Sequence, residues 1–264
     1  MTLLPPTRRR RMALAIGGAL AVAFAVALGI TRPWLPPAET PPVAAAENGL
    51  SPAALTLPED PEVLIFGDSW TYGSAATVPT DGYAYRLARL IPADTVVRGV
   101  RGSGYQKPGL DGPDFLTRVA DLEQWIDPDL IILQGSINDR LSDAAAYPAA
   151  VNAVWDAMVA KYPGVPIVIL GPAPHELPVG SSTARIDRDL ERLAASRGWW
   201  YISPVQDEWI TDDNYLQLID VGAGRKHPSD AGHAYLADRV AAALERFATA
   251  PVTAADGAKP KPAK

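Results

Sequence analysis

The residues most suited to chemistry follow the first apolar run of the central segment, where Ser69 stands directly after Gly67 and Asp68. A serine at the carboxyl end of a strand can attack an acyl carbon, and its own amide can donate to the negative charge that develops on the carbonyl oxygen. The same residue types also form turns and helix N-caps, so this loop alone decides nothing. The Gly-x-Ser-x-Gly elbow of the α/β-hydrolases is absent from the sequence, which disfavours that fold.

Two histidines near the carboxyl terminus are candidates for the base that activates such a serine. Pro228 disfavours a helix at His227, so His227 is predicted to lie in a loop, and Ser229 can cap the helix that follows. His233 falls in the first turn of that helix, where a histidine is more often a packing or surface residue. We therefore favour the loop histidine as the proton acceptor.

Two further loops carry groups that can donate to an oxyanion. The loop 99–105 contains Gly102 between other glycines, but Lys107 stands where the third glycine of a Gly-x-Gly-x-x-Gly motif belongs. A dinucleotide or triphosphate site is therefore not supported. Asn138 follows the third apolar run, and its side-chain amide can donate to an oxyanion, although asparagine is also a common loop residue.

Short apolar runs alternate with helical patterns between residues 61 and 248, and these elements must position the four loops. The strand candidates are 63–66, 95–100, 130–133, 166–170 and 199–202, and the helix candidates are 81–92, 113–126, 142–161, 182–197 and 229–247. This alternation predicts an α/β fold, a single three-layer α/β/α sandwich with a parallel five-stranded sheet of the flavodoxin-like type. Ligands bind outside the carboxyl ends of such strands, where these loops lie.

The regions outside this domain have the composition of export and spacer segments. Residues 1–11 contain four consecutive arginines and are expected in the cytoplasm, and residues 12–31 contain no charge over 20 positions, enough for a helix of roughly 30 Å. We expect a transmembrane anchor or a signal peptide there, and a domain that is extracellular at the membrane or secreted. Residues 32–60 predict a linker rich in proline and alanine, and residues 249–264 predict a disordered tail.

The composition of the 264 residues excludes several classes of function. The absence of cysteine excludes disulfide frameworks, iron–sulfur clusters and cysteine nucleophiles, and three histidines are too few to favour a histidine-rich metal centre. Residues 1–60 carry one net positive charge and residues 249–264 carry two, so a total of −6 leaves −9 on the segment between them. A segment this acidic is a poor partner for phosphate backbones, so we expect no nucleic-acid binding.

Taken together, the four loops resemble the sequence blocks of the SGNH (GDSL-type) hydrolases, in the form common among exported actinobacterial esterases. The resemblance covers the segment from about 61 to 248. Gly67, Asp68 and Ser69 match the first block, which implies Ser69 as the nucleophile.

The second and third blocks supply the oxyanion hole that the resemblance implies. The loop 99–104 implies the Gly102 amide as a donor beside the amide of Ser69, and Asn138 is implied as the side-chain donor. The third block departs from the family pattern, because Ser136 occupies the position where the family has glycine.

The last block admits two registers. Residues 230–233 satisfy Asp-x-x-His as a bare pattern, whereas His227 and Pro228, followed by Gly232 and His233, fit the fuller pattern of Asp-x-x-His-Pro with a glycine and an aromatic residue or histidine in the next helix. The fuller pattern implies His227 as the catalytic base.

This register leaves the catalytic acid unassigned, because Gly224 stands three residues before the histidine, where the family has its aspartate. Asp220, carried by a flexible glycine-containing segment, and a main-chain carbonyl are equal candidates for the group that supports the imidazole. Asp212 and Asp213 rank below them.

The resemblance implies an extracytoplasmic serine esterase that forms an acyl-enzyme on Ser69 and needs no metal or organic cofactor. We expect short acyl esters, acetyl esters in particular, either small or attached to a glycan. Trp70, Tyr72 and Tyr105 flank the motif loops and are candidates to line the substrate, although we favour a core or rim position for these rings. An acyltransferase that modifies a cell-wall or surface glycan and a non-catalytic tethered glycan-binding module are the competing hypotheses. We expect a monomer.

Overall fold

The computed structural model describes residues 52–135 and 137–249. The predicted basic segment 1–11, the predicted span 12–31, residues 32–51 of the predicted linker, Ser136 and all but the first residue of the predicted tail lie outside these residues. Among the helices that the structure describes, none combines the length and the apolar character needed to cross a membrane.

The packed domain begins before residue 61, where the sequence placed the end of the linker. Leu55 is buried, and its amide donates a hydrogen bond of 2.9 Å to the carbonyl of Phe247. Leu57 packs against the same core. Burial of these two leucines offsets the entropic cost of ordering a proline-rich segment, so the predicted boundary moves towards the amino terminus.

Five parallel strands form the central sheet. They are β1 Glu62–Gly67, β2 Asp94–Gly99, β3 Leu130–Gln134, β4 Ile167–Leu170 and β5 Trp200–Ile202. Their order is β2-β1-β3-β4-β5, and each begins and ends within one residue of its predicted range. Continuous apolar runs are typical of strands covered on both faces, and β3 is buried throughout. The predicted sheet is confirmed.

Helices and 3-10 turns connect these strands. The α-helices of the described residues are α1 Ser69–Tyr72, α2 Tyr83–Leu87, α3 Phe115–Ala120, α4 Tyr147–Lys161, α5 Ser181–Ser196, α6 Tyr215–Leu218 and α7 Asp230–Ala248. The 3-10 turns are Pro79–Asp81 and Ile137–Leu141. Helix α4 begins five residues later than predicted, because Pro148 lacks an amide hydrogen and suits the first turn of a helix.

The sheet separates two hydrophobic cores. On one face, Val63 and Ile65 of β1 pack with residues of α2 and α7. On the other face, Leu64 and Phe66 pack with residues of α3, α4 and α5. Successive side chains of a strand point to opposite faces, so one apolar strand serves both cores. The three-layer α/β/α sandwich is thereby confirmed.

The strand order creates a crevice beside β1. Strand β2 lies on one side of β1 and β3 on the other, so the loops that follow β1 and β3 leave the sheet at a topological switch point. Ser69 follows β1, and Asn138 follows β3. The fold therefore places both residues where open α/β sheets bind their ligands.

Candidate active site

Ser69 and His227 meet at the carboxyl edge of the sheet. The Oγ of Ser69 lies 2.9 Å from Nε2 of His227, and Nδ1 of the same ring lies 2.7 Å from the carbonyl oxygen of Gly224. A carbonyl oxygen only accepts hydrogen bonds, so Nδ1 carries the hydrogen and Nε2 of the neutral ring presents its lone pair to the serine hydroxyl. This arrangement can take the proton from Ser69 as the hydroxyl attacks.

A tight turn from β1 into α1 holds Ser69 in place. Asp68 caps α1 by accepting a hydrogen bond of 2.9 Å from the Trp70 amide, and its own amide donates to Oε1 of Gln134 at 3.2 Å. A Cβ on Gly67 would lie 2.7 Å from the same Gln134 oxygen. Only glycine therefore fits between the strand and α1, and the turn directs Ser69 into the crevice.

A two-stranded antiparallel ribbon holds the histidine loop. Its strands are β6 Ile219–Asp220 and β7 His227–Pro228. Between them, Arg225 and Lys226 have positive φ angles of 52° and 66°. Non-glycine residues adopt this conformation only where surrounding contacts maintain it. The resulting turn directs the Gly224 carbonyl towards the imidazole.

Asp220 does not support His227, contrary to one of the two predictions made for this role. The Oδ1 of Asp220 accepts a hydrogen bond of 2.8 Å from the Gly222 amide. The group that meets the imidazole is the main-chain carbonyl of Gly224. A Cβ at position 224 would lie 2.6 Å from the Cβ atoms of Ala75 and Asp220, so the loop leaves no room there for a carboxylate side chain.

We expect Asp220→Asn to keep kcat/KM on a neutral ester within about threefold of the parent, as for an ordinary surface substitution. The asparagine oxygen preserves the hydrogen bond from the Gly222 amide. Loss of a true triad aspartate lowers kcat by about 10⁴-fold. Steady-state hydrolysis of p-nitrophenyl acetate distinguishes the two outcomes, and a loss above about 100-fold would return Asp220 to the catalytic set.

The predicted oxyanion donors lie together beside Ser69. Ser69, Gly102 and Asn138 line one cleft. The Nδ2 atom of Asn138 donates to the carbonyl of Ser103 at 3.0 Å and lies 3.4 Å from Oδ2 of Asp68, which orients the amide. A side-chain amide has two hydrogens and both have an acceptor here, so an oxyanion would replace Asp68 as the acceptor of one of them.

Arg118 joins the carboxyl ends of β1 and β2, a role that was not predicted from the sequence. Its guanidinium donates to the carbonyls of Gly67 at 2.9 Å and Arg98 at 2.6 Å. Burial lowers the pKa of Arg118 to about 10, so the group remains charged at neutral pH. One sequence feature could have indicated this role. Arg118 lies three residues after Phe115 and next to Val119 in a predicted helix, so a charged side chain stands on an otherwise apolar helix face.

Asp139 holds the loop of the second block. Its carboxylate accepts hydrogen bonds from the amides of Tyr105 at 2.8 Å and Gln106 at 3.0 Å. Burial raises the pKa of Asp139, and these two hydrogen bonds oppose that rise. The residue after Asn138 thus positions the loop that carries Gly102.

The cleft at Ser69 and His227 has a volume of about 820 Å³, within the usual range for ligand sites. Trp70 and Tyr105 do not line the cleft, since they are 5% and 3% exposed, and both take the favoured core position rather than the substrate-lining one. Each ring belongs to one of the two hydrophobic cores, where burial of a large aromatic surface is more favourable than exposure. Tyr72, the third aromatic candidate, does line the cleft.

His233 is a positioning residue and does not contact Ser69. Its Nδ1 accepts from the Tyr83 amide at 3.2 Å, and its Nε2 donates to the Ser74 carbonyl at 3.0 Å. The Ser74 amide donates in turn to the Ser69 carbonyl at 2.9 Å. Burial lowers the pKa of His233 to about 4, so the ring is neutral near pH 7. His233 therefore fixes the segment that follows α1.

The buried neutral state of His233 makes folding dependent on pH. Its pKa is about 4 in the folded chain against 6.5 when unfolded, so the unfolded state binds more protons between these values. This difference contributes about 3 kcal/mol to the free energy of unfolding. The contribution is fully present above pH 6.5 and is lost as the pH falls towards 4.

We expect His233→Gln to remove this pH-dependent part, because glutamine does not titrate in this range. Urea unfolding of the parent and the variant at several pH values between 4 and 7 measures the difference. Two curves of unfolding free energy that remain parallel over this range would contradict the assignment.

Known proteins similar to this chain were identified by sequence and by structure. The model of the GDSL-like Lipase/Acylhydrolase family matches residues 65–235. GDSL lipase Rv0518 of Mycobacterium tuberculosis is 29% identical over 192 residues, which are 68% of this chain and 79% of that protein.

An aryl esterase and a carbohydrate acetylesterase family member are among the solved structures that share the fold. The native aryl esterase of M. smegmatis has a TM-score of 0.55 and 14% identity, covering 70% of this chain and 99% of that one. A carbohydrate acetylesterase family member from Sinorhizobium meliloti has a TM-score of 0.56 and 14% identity, covering 71% and 98%. The family match spans more than half of the chain and includes the loops of Ser69, Gly102, Asn138 and His227. The chain therefore belongs to the GDSL-like lipase/acylhydrolase family of SGNH serine ester hydrolases.

Proposed function

We propose that the chain is an extracytoplasmic esterase that hydrolyses short acyl esters, acetyl esters in particular, through an acyl-enzyme on Ser69. The observation that carries this proposal is the 2.9 Å contact between Oγ of Ser69 and Nε2 of His227. The hydrogen bond between the ring and Gly224 supports it, because this bond fixes the tautomer that accepts the serine proton.

In the proposed reaction, Oγ of Ser69 forms a bond to the acyl carbon while its proton moves to Nε2 of His227. The amides of Ser69 and Gly102 and the side chain of Asn138 donate to the oxyanion of the tetrahedral intermediate. Collapse of this intermediate breaks the ester bond, and His227 protonates the departing alcohol. Water then attacks the acyl-enzyme, with His227 taking and returning a proton, and the carboxylic acid leaves.

The test is active-site labelling of the full chain with a fluorophosphonate, followed by peptide mapping. We expect stoichiometric labelling of the peptide that contains Ser69, and very slow labelling in His227→Ala. Labelling of a different serine, or none in a chain that hydrolyses p-nitrophenyl acetate, would contradict the proposal. Product analysis with a glycan acceptor present separates hydrolysis from acyl transfer.

Gly224 at the acid position would also suit a non-catalytic glycan-binding module. The Gly224 carbonyl accepts the imidazole hydrogen bond, so the glycine is no sign of a decayed triad. An acetylated glycan remains a candidate substrate, and the carbohydrate acetylesterase family member of the same fold supports its inclusion among the substrates to be tested.

The proposed location is supported by the four arginines within residues 1–11 and the uncharged residues 12–31. Cell fractionation tests this location: we expect the full chain with the membranes, or in the medium after cleavage. Recovery of the full chain in the cytoplasmic fraction would contradict it.

A further inference from the structure

The cleft of the proposed site contains more cations than anions, although the chain as a whole carries a net charge of −6. Arg101, Lys107 and Arg225 line it, and among the described residues Asp220 is the carboxylate in the lining. Asp220 already accepts a hydrogen bond from the Gly222 amide. Cations gathered around a concave, low-dielectric surface focus a positive potential there, even on an acidic protein.

Two of these cations form no close ion pair in the described part of the chain, although the positive charge of Lys107 acts to lower the pKa of the buried Asp139 carboxylate. Arg101 forms a bidentate pair with Asp111, with distances of 2.6 and 2.9 Å. No ion pair or hydrogen bond of the described residues involves the side chain of Lys107 or Arg225. A charged donor that is not already paired can bind an incoming anion without first breaking another contact.

Both unpaired cations are carried by loops whose backbones are held in place. The carbonyl of Lys107 accepts from the Gly104 amide at 2.9 Å, and the residues just before Lys107 are bound by the Asp139 carboxylate. Arg225 lies two residues before His227, and its φ of 52° belongs to the same turn that orients the imidazole. Anchored loops lose little entropy when a ligand binds.

We propose that this cleft selects esters that carry an anionic group, such as a carboxylate, sulfate or phosphate, which Lys107 and Arg225 bind while the acyl carbon lies at Ser69. The inference rests on the proposed function, because the anion is recognised during attack by Ser69. A neutral ester of the same shape fits the same cleft without gaining these contacts.

The test compares esters that differ only in charge. One pair is 4-nitrophenyl hydrogen adipate and its methyl ester, with the charge on the acyl side. The other pair is 4-acetoxybenzoate and its methyl ester, with the charge on the leaving group. For the full chain and each variant, kcat/KM of the anionic ester is divided by that of the neutral ester, so differences in intrinsic reactivity cancel between variants.

We expect Lys107→Gln and Arg225→Gln each to lower this ratio about fivefold for at least one pair, as for an exposed ion pair. The double variant should lower it by about 25-fold if the two act independently. Raising the salt from about 0.1 M to 1 M shortens the screening length and should reduce the ratio in the parent more than in the double variant. Arg188→Gln, an equal charge change on an exposed residue of α5, is the matched control and should not alter it.

The outcomes separate the two proposals. If neutral esters are hydrolysed but the ratio does not change in either variant, or falls equally in Arg188→Gln, the anion preference is wrong and the esterase proposal stands. If the parent hydrolyses neither member of either pair and Ser69 is not labelled by a fluorophosphonate, the esterase proposal itself fails.

Discussion

Ser69→Ala is expected to lower kcat for p-nitrophenyl acetate by about 10⁶-fold, the loss seen when the nucleophile of a serine hydrolase is removed. The methyl group of alanine cannot bond to the acyl carbon, and His227 loses the hydroxyl that lies 2.9 Å from its Nε2. The side chain is small and nearly buried, so the fold should tolerate the change. Single-turnover and steady-state kinetics of the full chain measure the loss.

Ser74→Ala provides the matched control for this prediction. Ser74 lies five residues after Ser69 in the same cleft, and its Oγ has no hydrogen-bond partner among the described residues. We expect its removal to change kcat by no more than about threefold. If Ser69→Ala keeps parental activity, or if the two variants lose activity equally, Ser69 is not the nucleophile.

His227→Ala is expected to lower kcat to a similar extent, by about 10⁶-fold. The imidazole is the base that the structure places against Oγ of Ser69, and without it the hydroxyl is a poor nucleophile at neutral pH. The double variant Ser69→Ala/His227→Ala should be no slower than either single variant, because the two residues act as one unit. Steady-state kinetics of all three variants test this non-additivity.

His233 provides a control for the assignment of His227 as the base. His233 lies six residues after His227 in the sequence. His233→Gln removes an imidazole that is hydrogen-bonded to the backbone of Ser74 and Tyr83 and not to Ser69. We expect this substitution to change how the free energy of unfolding depends on pH. The fraction of the variant that is folded should still be labelled at Ser69 by a fluorophosphonate. Loss of labelling in His233→Gln with normal labelling in His227→Ala would reverse the assignment of the base.

The carbonyl at Gly224 has a consequence for how the imidazolium is stabilised. A carboxylate would supply a full negative charge, whereas a carbonyl supplies only a dipole. What the carbonyl does supply is orientation, because its 2.7 Å hydrogen bond to Nδ1 fixes the tautomer and the ring position of His227. The close approach of Ala75 and Asp220 to position 224 shows that this loop is built around a main-chain acceptor.

Local patterns were sufficient to predict the layers and the strand positions. Buried strands are continuous apolar runs, and their limits were predicted within one residue, because burial on both faces requires apolar side chains at every position. The predicted limits of the helices were less accurate. The start of α4 was predicted five residues too early, because helix ends depend on individual residues such as Pro148. The choice of His227 over His233 as the base used Pro228, a local constraint on the backbone, together with the fuller sequence pattern of the last block.

Other features depended on contacts between distant parts of the chain. Trp70 and Tyr105 have the residue type of substrate platforms, and only the packing of the sheet against its helices shows that both rings are buried. Arg118 contacts carbonyls at the ends of two strands that are paired with each other, which no pattern within its own helix reveals.

By itself, then, the sequence determined the alternation of strands and helices, the edge of the sheet where chemistry is expected and the residue types available there. The tertiary structure alone decided that a main-chain carbonyl orients His227, that Asp220 turns to the Gly222 amide and that unpaired cations line the cleft. The physical reason is the range of the forces. Periodicity and backbone constraints act over a few neighbouring residues, whereas hydrogen-bond partners and burial depend on which distant segments the folded chain brings into contact.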